Sequence, residues 1–340
     1  MQNHLTIQAR FAFFVTLLAL AVVLLGAYVR LSDAGLGCPD WPGCYGKLIV
    51  PQSEKGIATA NLTFPNRLLE PDKAWKEMVH RYLASALGLA ILVLAIIALR
   101  NRNTINQPLL LPWLLSLLVA FQGALGMWTV TLQVKPIVVT AHLLGGFATA
   151  TLLWMLTLKL YSASSDRSVI YHTRRLLWLS RIGVIILLIQ IFLGGWTSTN
   201  YAAIGCTEFP TCHSGIWWPG SGFKDAFTLW HGIGINYEFG ILSPEARSTI
   251  HMVHRAGALI TTIYLSLLCI FVYRLGRATI TQRMAWIVAL FMSLQVGLGI
   301  TNVMQHLPLP VAVAHNGVAL LLLMSLLTLN WHLKRAFTMD

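Results

Sequence analysis

The sequence predicts an all-α polytopic membrane protein whose eight transmembrane helices form two pseudo-symmetric four-helix bundles. The chain of 340 residues is 56% hydrophobic and only 11% charged, with a mean hydropathy of +0.67. Such values are typical of a chain that lies largely in lipid. Eight apolar runs are long enough to span a bilayer, for which about 20 residues suffice. A third observation is an internal repeat, in which four histidines recur at matching positions of two halves.

The apolar runs divide into four in each half. They cover residues 11–31, 80–99, 109–131, 137–159, 176–199, 251–273, 284–304 and 310–332. Because lipid offers the backbone no hydrogen-bond partner, each run should be helical. The first run is too long for a signal peptide and lacks a small-residue cleavage site, so we expect a retained helix. The repeat divides the chain into units of 1–170 and 171–340.

Basic residues predict how the chain is oriented in the membrane. With the N-terminus inside, the inner segments hold thirteen basic and two acidic residues, and the outer segments hold eleven basic and ten acidic residues. This excess of Lys and Arg on one side predicts cytoplasmic N- and C-termini. It also accounts for the net charge of +12 without a nucleic-acid partner, because the charge lies in short loops beside membrane helices.

Four histidines carry the internal repeat. His80 recurs as His254 after 174 residues, and His142 recurs as His315 after 173 residues. Each histidine stands at the beginning of an apolar run. Other anchors recur in the same order: residues 25–28 match 193–196, residues 37–44 match 205–212, and residues 122–126 match 295–299. Both halves run in the same direction, which indicates a parallel duplication.

Paired histidines on facing helices are what the axial ligation of a haem iron requires. We expect all four near the outer ends of their helices, with His80 facing His142 and His254 facing His315. A lone interfacial histidine would need no cofactor, but duplication in register favours one. Zinc fits less well, because each half offers only two histidines and the second half has no nearby carboxylate to complete a tetrahedral site.

Charged residues beside the histidines suggest further roles. Arg81 and Arg255 directly follow a histidine, where they would pair with haem propionates or extend to lipid headgroups. Glu77 lies one helical turn before His80, and its equivalent in the second half is His251. A carboxylate near a cofactor can transfer protons, whereas a solvated carboxylate at a helix start would only favour the helix dipole. Since only the first half has this acid, we predict that the first half performs the chemistry.

Two cysteine pairs lie in the predicted outer loops, where an oxidising compartment favours disulfides. Cys38 and Cys44 flank one turn, and Cys206 and Cys212 repeat the spacing. Each pair would be either a redox-active group or a staple that holds a loop over the membrane. We favour the staple for Cys206–Cys212 and leave both interpretations open for Cys38–Cys44. Cys269 lies within a helix, where we expect it to contribute to packing.

The chain resembles the haem A synthase family. The resemblance rests on residues 35–46, on residues 77–81 (Glu-Met-Val-His-Arg) and on the four-histidine duplication, and it extends from about residue 10 to 332. It implies two pseudo-symmetric four-helix bundles. It also implies oxidation of the C8 methyl of haem O to a formyl group by successive hydroxylations, which gives haem A for terminal oxidases.

The resemblance further implies roles for individual residues. His254 and His315 would ligate a resident haem b in the second half. His80 and His142 would line the haem O site of the first half, with Glu77 essential to catalysis. The family's outer-loop cysteine pair matches the first pair of this chain. The expected partners are haem O, a haem O synthase, an electron donor or acceptor and membrane lipid, in a bacterial inner membrane.

Other functions stay open on the sequence. A di-haem b electron-transfer protein would use all four histidines as ligands and need no carboxylate. A membrane thiol–disulfide oxidoreductase would use the cysteine pairs and need no haem. The long outer loops, residues 45–76 and 213–249, would either cap the sites or lie at the membrane interface. Neither a Rossmann fingerprint nor a P-loop is present, so no nucleotide cofactor is indicated.

Overall fold

The computed structural model describes residues 2–162, 173–218, 221–275 and 279–337. Among these residues every regular secondary-structure element is a helix, and the β-type pairing is confined to two isolated bridges. The helices are α1 (Gln2–Leu31), α2 (Glu54–Thr63), α3 (Pro71–Arg100), α4 (Leu110–Thr131), α5 (Pro136–Ser162), α6 (Thr173–Thr199), α7 (Phe223–Ala226), α8 (Pro244–Leu275), α9 (Thr279–Met304) and α10 (Leu309–Phe337). The predicted division near residue 170 lies outside the described residues.

Eight of the described helices are long and apolar enough to cross a membrane, which confirms the predicted number of spans. The predicted helix starts were less accurate. α3 begins at Pro71 and α8 at Pro244, so His80 and His254 lie nine and ten residues inside their helices. Each helix continues outward beyond its apolar run, because hydropathy marks only the stretch in lipid. Both helices begin with proline, which suits the first turn because the N–H groups there have no acceptor within the helix.

The helices pack in two groups of four, which is compatible with the predicted pair of bundles. α1 and α4 both contact α3 and α5, and α6 and α9 both contact α8 and α10. The groups meet where α1 contacts α10 and where α5 contacts α6 and α10. Polar contacts between the groups include the hydrogen bond from Trp154 Nε1 to Thr328 Oγ1, at 2.8 Å. The two histidines of each half therefore lie on diagonally opposed helices, α3 with α5 and α8 with α10.

The long outer loop of the second half crosses onto the first half. We call residues 228–240 of this loop the strap. Tyr237 of the strap is only 2% exposed and packs with Leu36 and Val134 of the first half. Its backbone N–H donates to the carbonyl of Gln133 at 3.2 Å. The strap therefore packs against one end of the first group of helices, and the interpretation that the long loops cap the sites stays a prediction.

An ion pair between Arg67 and Glu238 attaches the strap to the first half. Nη2 of the guanidinium lies 2.5 Å from Oε2, and Nη1 lies 3.4 Å from Oε1. The hydrogen bonds that Arg67 donates to Glu238 are the main cause of the raised pKa of Arg67. Both side chains are largely shielded from solvent, so the pair is screened less than a surface pair would be.

We expect Glu238→Gln to loosen the strap, because a hydrogen bond to a charged group contributes about 1.5–3 kcal/mol. Amide hydrogen exchange within residues 228–240 should accelerate by about tenfold or more. Glu54→Gln is the matched control, because this carboxylate is exposed and forms no ion pair among the described residues. Equal exchange in both variants would contradict the role given to the ion pair.

Candidate functional site

Each of the four repeat histidines packs its ring against a glycine of a neighbouring helix. A Cβ atom added at the glycine would lie 3.0–3.5 Å from the histidine Cε1 atom in every case. The pairs are Gly26 with His80, Gly126 with His142, Gly194 with His254, and Gly299 with His315. All four glycines belong to the sequence anchors of the repeat. The duplication has therefore kept each histidine together with the surface against which its ring packs.

The structure brings together the histidines that the sequence paired. His80 and His142 are near enough to interact electrostatically, and so are His254 and His315. Because the members of a pair come from diagonal helices, their rings approach one another across the interior of a four-helix group. This arrangement matches the geometry in which bundle proteins hold cofactors between facing helices.

The imidazole nitrogens fit axial ligation of a haem. Nδ1 of His80, His142 and His315 is buried and has no hydrogen-bond partner among the described residues. An unpaired buried polar atom in a native fold calls for an explanation, and a metal or cofactor is one. The adjacent glycines allow the rings to lie directly against the neighbouring helices. The described residues therefore fit a bis-histidine haem in each half.

Three glutamines lie near the histidines, and sequence reasoning missed their role. Gln122 is buried, and Gln190 and Gln295 are half-buried. Nε2 of Gln190 lies 3.0 Å from His254 Nδ1, and Nε2 of Gln295 lies 3.1 Å from His315 Nε2. Gln122 occupies the position of Gln295 in the first half. The sequence did contain a signal for this role, namely a glutamine within an apolar run. A polar amide within a membrane helix is costly and commonly faces a functional interior.

Glu77 is buried beneath the first disulfide loop, with an exposed fraction of 5%. Its Oε2 accepts the backbone N–H of Cys38 at 2.9 Å, and its Oε1 lies 2.5 Å from Arg81 Nη2. The alternative of a solvated carboxylate at a helix start is therefore wrong. The carboxylate lies six residues inside α3, because that helix extends beyond the apolar run.

His251 makes the equivalent contact in the second half. Its Nδ1 accepts the backbone N–H of Cys206 at 3.1 Å, which assigns the ring proton to Nε2. Glu77 and His251 thus perform the same structural task, since each receives the amide of the first cysteine of its loop. What distinguishes the halves at this position is charge, because a carboxylate can be negative and an imidazole cannot.

Arg81 and Arg255 hold the two loops by their carbonyl groups. Nη1 of Arg81 donates to the carbonyls of Asp40 and Gly43 at 3.0 and 2.5 Å. Nη1 of Arg255 makes the matching contact with the carbonyl of Glu208 at 2.8 Å. The duplicated His-Arg pair is therefore explained by loop anchoring in the structure. The predicted contact of these arginines with haem propionates stays a prediction.

Both predicted cysteine pairs are disulfides. Cys38 bonds to Cys44 and Cys206 bonds to Cys212, with Cα–Cα distances of 4.8 and 4.5 Å. Cys206, Cys212 and His213 form a compact group, but both sulfur atoms belong to the disulfide and are therefore not available as thiolate ligands for a metal. Whether either pair is redox-active or structural stays open. Cys269 is buried in α8, as expected for a packing role.

An acidic side chain closes each disulfide loop. The Asp40 carboxylate accepts the backbone N–H groups of Tyr45 and Gly46 at 2.6 and 2.8 Å. Glu208 does the same in the second loop, and the backbone N–H groups of Gly215 and Ser214 lower its pKa. A carboxylate whose pKa falls on folding stabilises the fold above its unfolded pKa and loses that contribution as it is protonated. The second disulfide loop should therefore hold its shape at neutral pH and loosen in acid, as the pH falls through the lowered pKa of Glu208.

Comparison with known proteins agrees with the geometry. Residues 9–327 match the family model COX15-CtaA, cytochrome oxidase assembly protein. The chain is 48% identical over 319 residues to Heme A synthase of Shewanella oneidensis, covering 92% of this chain and 93% of that protein. It is 29% identical over 324 residues to Heme A synthase of Agrobacterium fabrum, covering 89% and 83%. Heme A synthase of a Chelativorans species is 26% identical over 335 residues, covering 93% and 87%. This chain belongs to the COX15-CtaA family of cytochrome oxidase assembly proteins.

Proposed function

We propose that this protein is a haem A synthase, an oxidoreductase that converts the C8 methyl of haem O to a formyl group. One observation carries the proposal. Two similar histidine sites differ at the buried position that receives the amide of the loop cysteine, which holds Glu77 in the first half and His251 in the second. Duplication followed by this difference suits one reactive site and one site for a resident cofactor. Family membership and the 48% identity to a Heme A synthase support the same assignment.

In the first half, His80 and His142 would hold the iron of haem O. The reaction requires two successive hydroxylations of one methyl, after which the geminal diol loses water to give the aldehyde. Glu77 would accept a proton as the methyl is oxidised. A carboxylate has about four lone-pair positions, and Cys38 and Arg81 occupy two of those on Glu77. The acid therefore retains capacity for a proton while the loop holds its side chain in place.

In the second half, His254 and His315 would hold a haem b. When bound, this group supplies one-electron transfer. Gln190 and Gln295 would orient the two imidazole rings, as outer-shell partners commonly do for metal-ligating histidines. The glycines beneath the rings would keep the helices close enough for both nitrogens to reach one iron.

The test is conversion of haem O. We expect that expression in a host that makes haem O but no haem A will yield haem A on pigment extraction and chromatography. A di-haem electron carrier would instead retain haem without converting it. A thiol–disulfide oxidoreductase would show no haem spectrum. Haem O that remains unchanged in the presence of correctly folded, haem-loaded protein would overturn the proposal.

We also infer the orientation of the protein in the membrane. Eight spanning helices make it an integral membrane protein. Cytoplasmic termini and haem sites near the outer face follow from the charge asymmetry. The similarity to Heme A synthase of Shewanella oneidensis supports a bacterial inner membrane. The two disulfides lie in loops that this orientation places outside. They support it, because disulfides persist in an oxidising compartment.

Topology reporters test this orientation. A reporter fused after Arg102 or Arg175 should give a cytoplasmic signal, and one fused after Gly56 or Gly222 should give an outer signal. The reason is the excess of basic residues on the inner side. Alkaline phosphatase and a fluorescent protein, active on opposite sides, provide mutual controls. Inverted signals would place both disulfides in a reducing compartment and refute the orientation.

The proposed partners follow from the reaction. A haem O synthase would supply the substrate, and membrane lipid surrounds the exposed faces of the helices. Oxidation of a methyl to an aldehyde also requires an electron donor or acceptor outside the chain. No nucleic-acid partner is proposed, because the positive charge is accounted for by the inner loops.

A further inference from the structure

Lys135 is a buried cation at the outer end of the first half. It lies between α4 and α5, immediately before Pro136, and is only 1% exposed. Its ammonium nitrogen lies 2.9 Å from the centroid of the Trp230 ring and 5.8 Å from that of Tyr237. The same nitrogen donates to the carbonyl of Gly232. Among the described residues, no carboxylate forms an ion pair with it.

This environment is energetically unfavourable for a lysine. A carbonyl oxygen and two ring faces attract an ammonium group, but none of them neutralises its charge, and burial without an anion is costly. Burial accordingly lowers the pKa of Lys135. The residue also stands at the N-terminus of α5, where the helix dipole is positive and disfavours a cation. A bound anion would offset both the cost of burying the ammonium group and its repulsion by the helix dipole. The ammonium group and the N-terminus of α5 would then bind the anion together.

The position of Lys135 relates it to the histidine site. It stands directly before α5, and its carbonyl accepts the backbone N–H groups of Val138 and Val139. Lys135 precedes His142 by seven residues, which is about two helical turns, so the two positions lie on the same side of the helix. Their separation along the axis is about 10 Å. A porphyrin ligated at its iron extends its propionate carboxylates over a comparable span. The equivalent position in the second half is Pro308, so the cation is a property of the first half alone.

We propose that Lys135 binds a propionate carboxylate of the haem substrate in the first half. This inference rests on the proposed function, and it assigns a substrate-positioning residue that the four-histidine pattern did not reveal. The strap takes part, because Trp230 and Gly232 are its residues. In the substrate complex a carboxylate would replace the ring of Trp230 as the partner of the ammonium group. Arg81 is less suited to this task, since its guanidinium already anchors the disulfide loop.

The experiment compares a ligand that has charged propionates with one in which they are neutral methyl esters. Purified protein that retains its resident haem is titrated with haem O and with the dimethyl ester of haem O, and binding is followed by difference spectroscopy. Wild-type protein should bind haem O about 10–100-fold more tightly than the ester, as expected for a hydrogen-bonded charge pair. Lys135→Met should lose this preference, and Lys135→Arg should retain much of it. Lys224→Met is the matched control, because Lys224 is an exposed lysine of the same outer loop as the strap.

Folding of the variants is checked separately by the resident haem spectrum and the thermal midpoint. Removing an uncompensated buried charge should not lower stability, and Lys135→Gln provides a second neutral side chain. If the neutral variants discriminate between acid and ester as the wild type does, the assignment of Lys135 is refuted. If wild-type protein does not convert haem O at all, the proposed function fails instead, so the two failures are distinguishable.

Discussion

Glu77→Gln is expected to abolish haem A formation while leaving haem b bound. The introduced amide still offers an oxygen to the Cys38 N–H and keeps the size of the side chain. It removes the negative charge and the capacity to accept a proton. Because general acid–base catalysis contributes about 10²–10⁴-fold, the rate of haem O conversion should fall by a comparable factor. Chromatography of extracted haems measures this, and haem O or a singly hydroxylated intermediate should accumulate.

His251→Gln is the matched control for that experiment. It places the same amide beneath the second disulfide loop, where it still accepts the Cys206 N–H. We expect this variant to disturb the haem b spectrum more than the turnover of haem O. Glu77→Ala should reproduce the loss of activity, together with weaker anchoring of the first loop. Wild-type turnover in Glu77→Gln would show that the carboxylate only holds the loop. The assignment of the reaction to the first half would then be refuted.

His254→Ala and His315→Ala should each remove or strongly alter the b-type absorbance of the purified protein. Each imidazole would supply one axial nitrogen, and alanine supplies none. We expect most of the resident haem to be lost from either variant, as measured by the pyridine haemochrome method. His231→Ala is the control, because this histidine belongs to the strap and not to the repeat. An unchanged spectrum and haem content in both ligand variants would refute the assignment.

The same substitutions in the first half separate the two sites. His80→Ala and His142→Ala should leave the haem b spectrum intact and reduce binding of haem O. Their rings pack on Gly26 and Gly126, in a helix group separate from that of the second-half histidines. If these variants lose the resident haem instead, the assignment of substrate and cofactor to the two halves is reversed.

The site could be predicted from the sequence only as far as its residue types and spacing allowed. The four histidines and the glycine-bearing anchors repeat at nearly constant offsets, so their grouping was visible without coordinates. Gln190 was not visible in this way, since Val22 occupies the corresponding place in the first half. Lys135 was missed because its burial depends on a strap that begins almost a hundred residues later in the chain.

The sequence by itself determined the membrane class, the eight spans, the duplication and the cysteine pairs. These properties depend on local composition and on short spacings, because lipid imposes length and hydrophobicity on each span independently. Only the tertiary structure decided which partners the polar residues take. Glu77 and His251 receive loop amides, Arg81 and Arg255 bind loop carbonyls, and the strap covers Lys135 in the other half. Such contacts join residues far apart in the chain. They depend on side-chain direction and on the path of the loops, and no local sequence pattern encodes either.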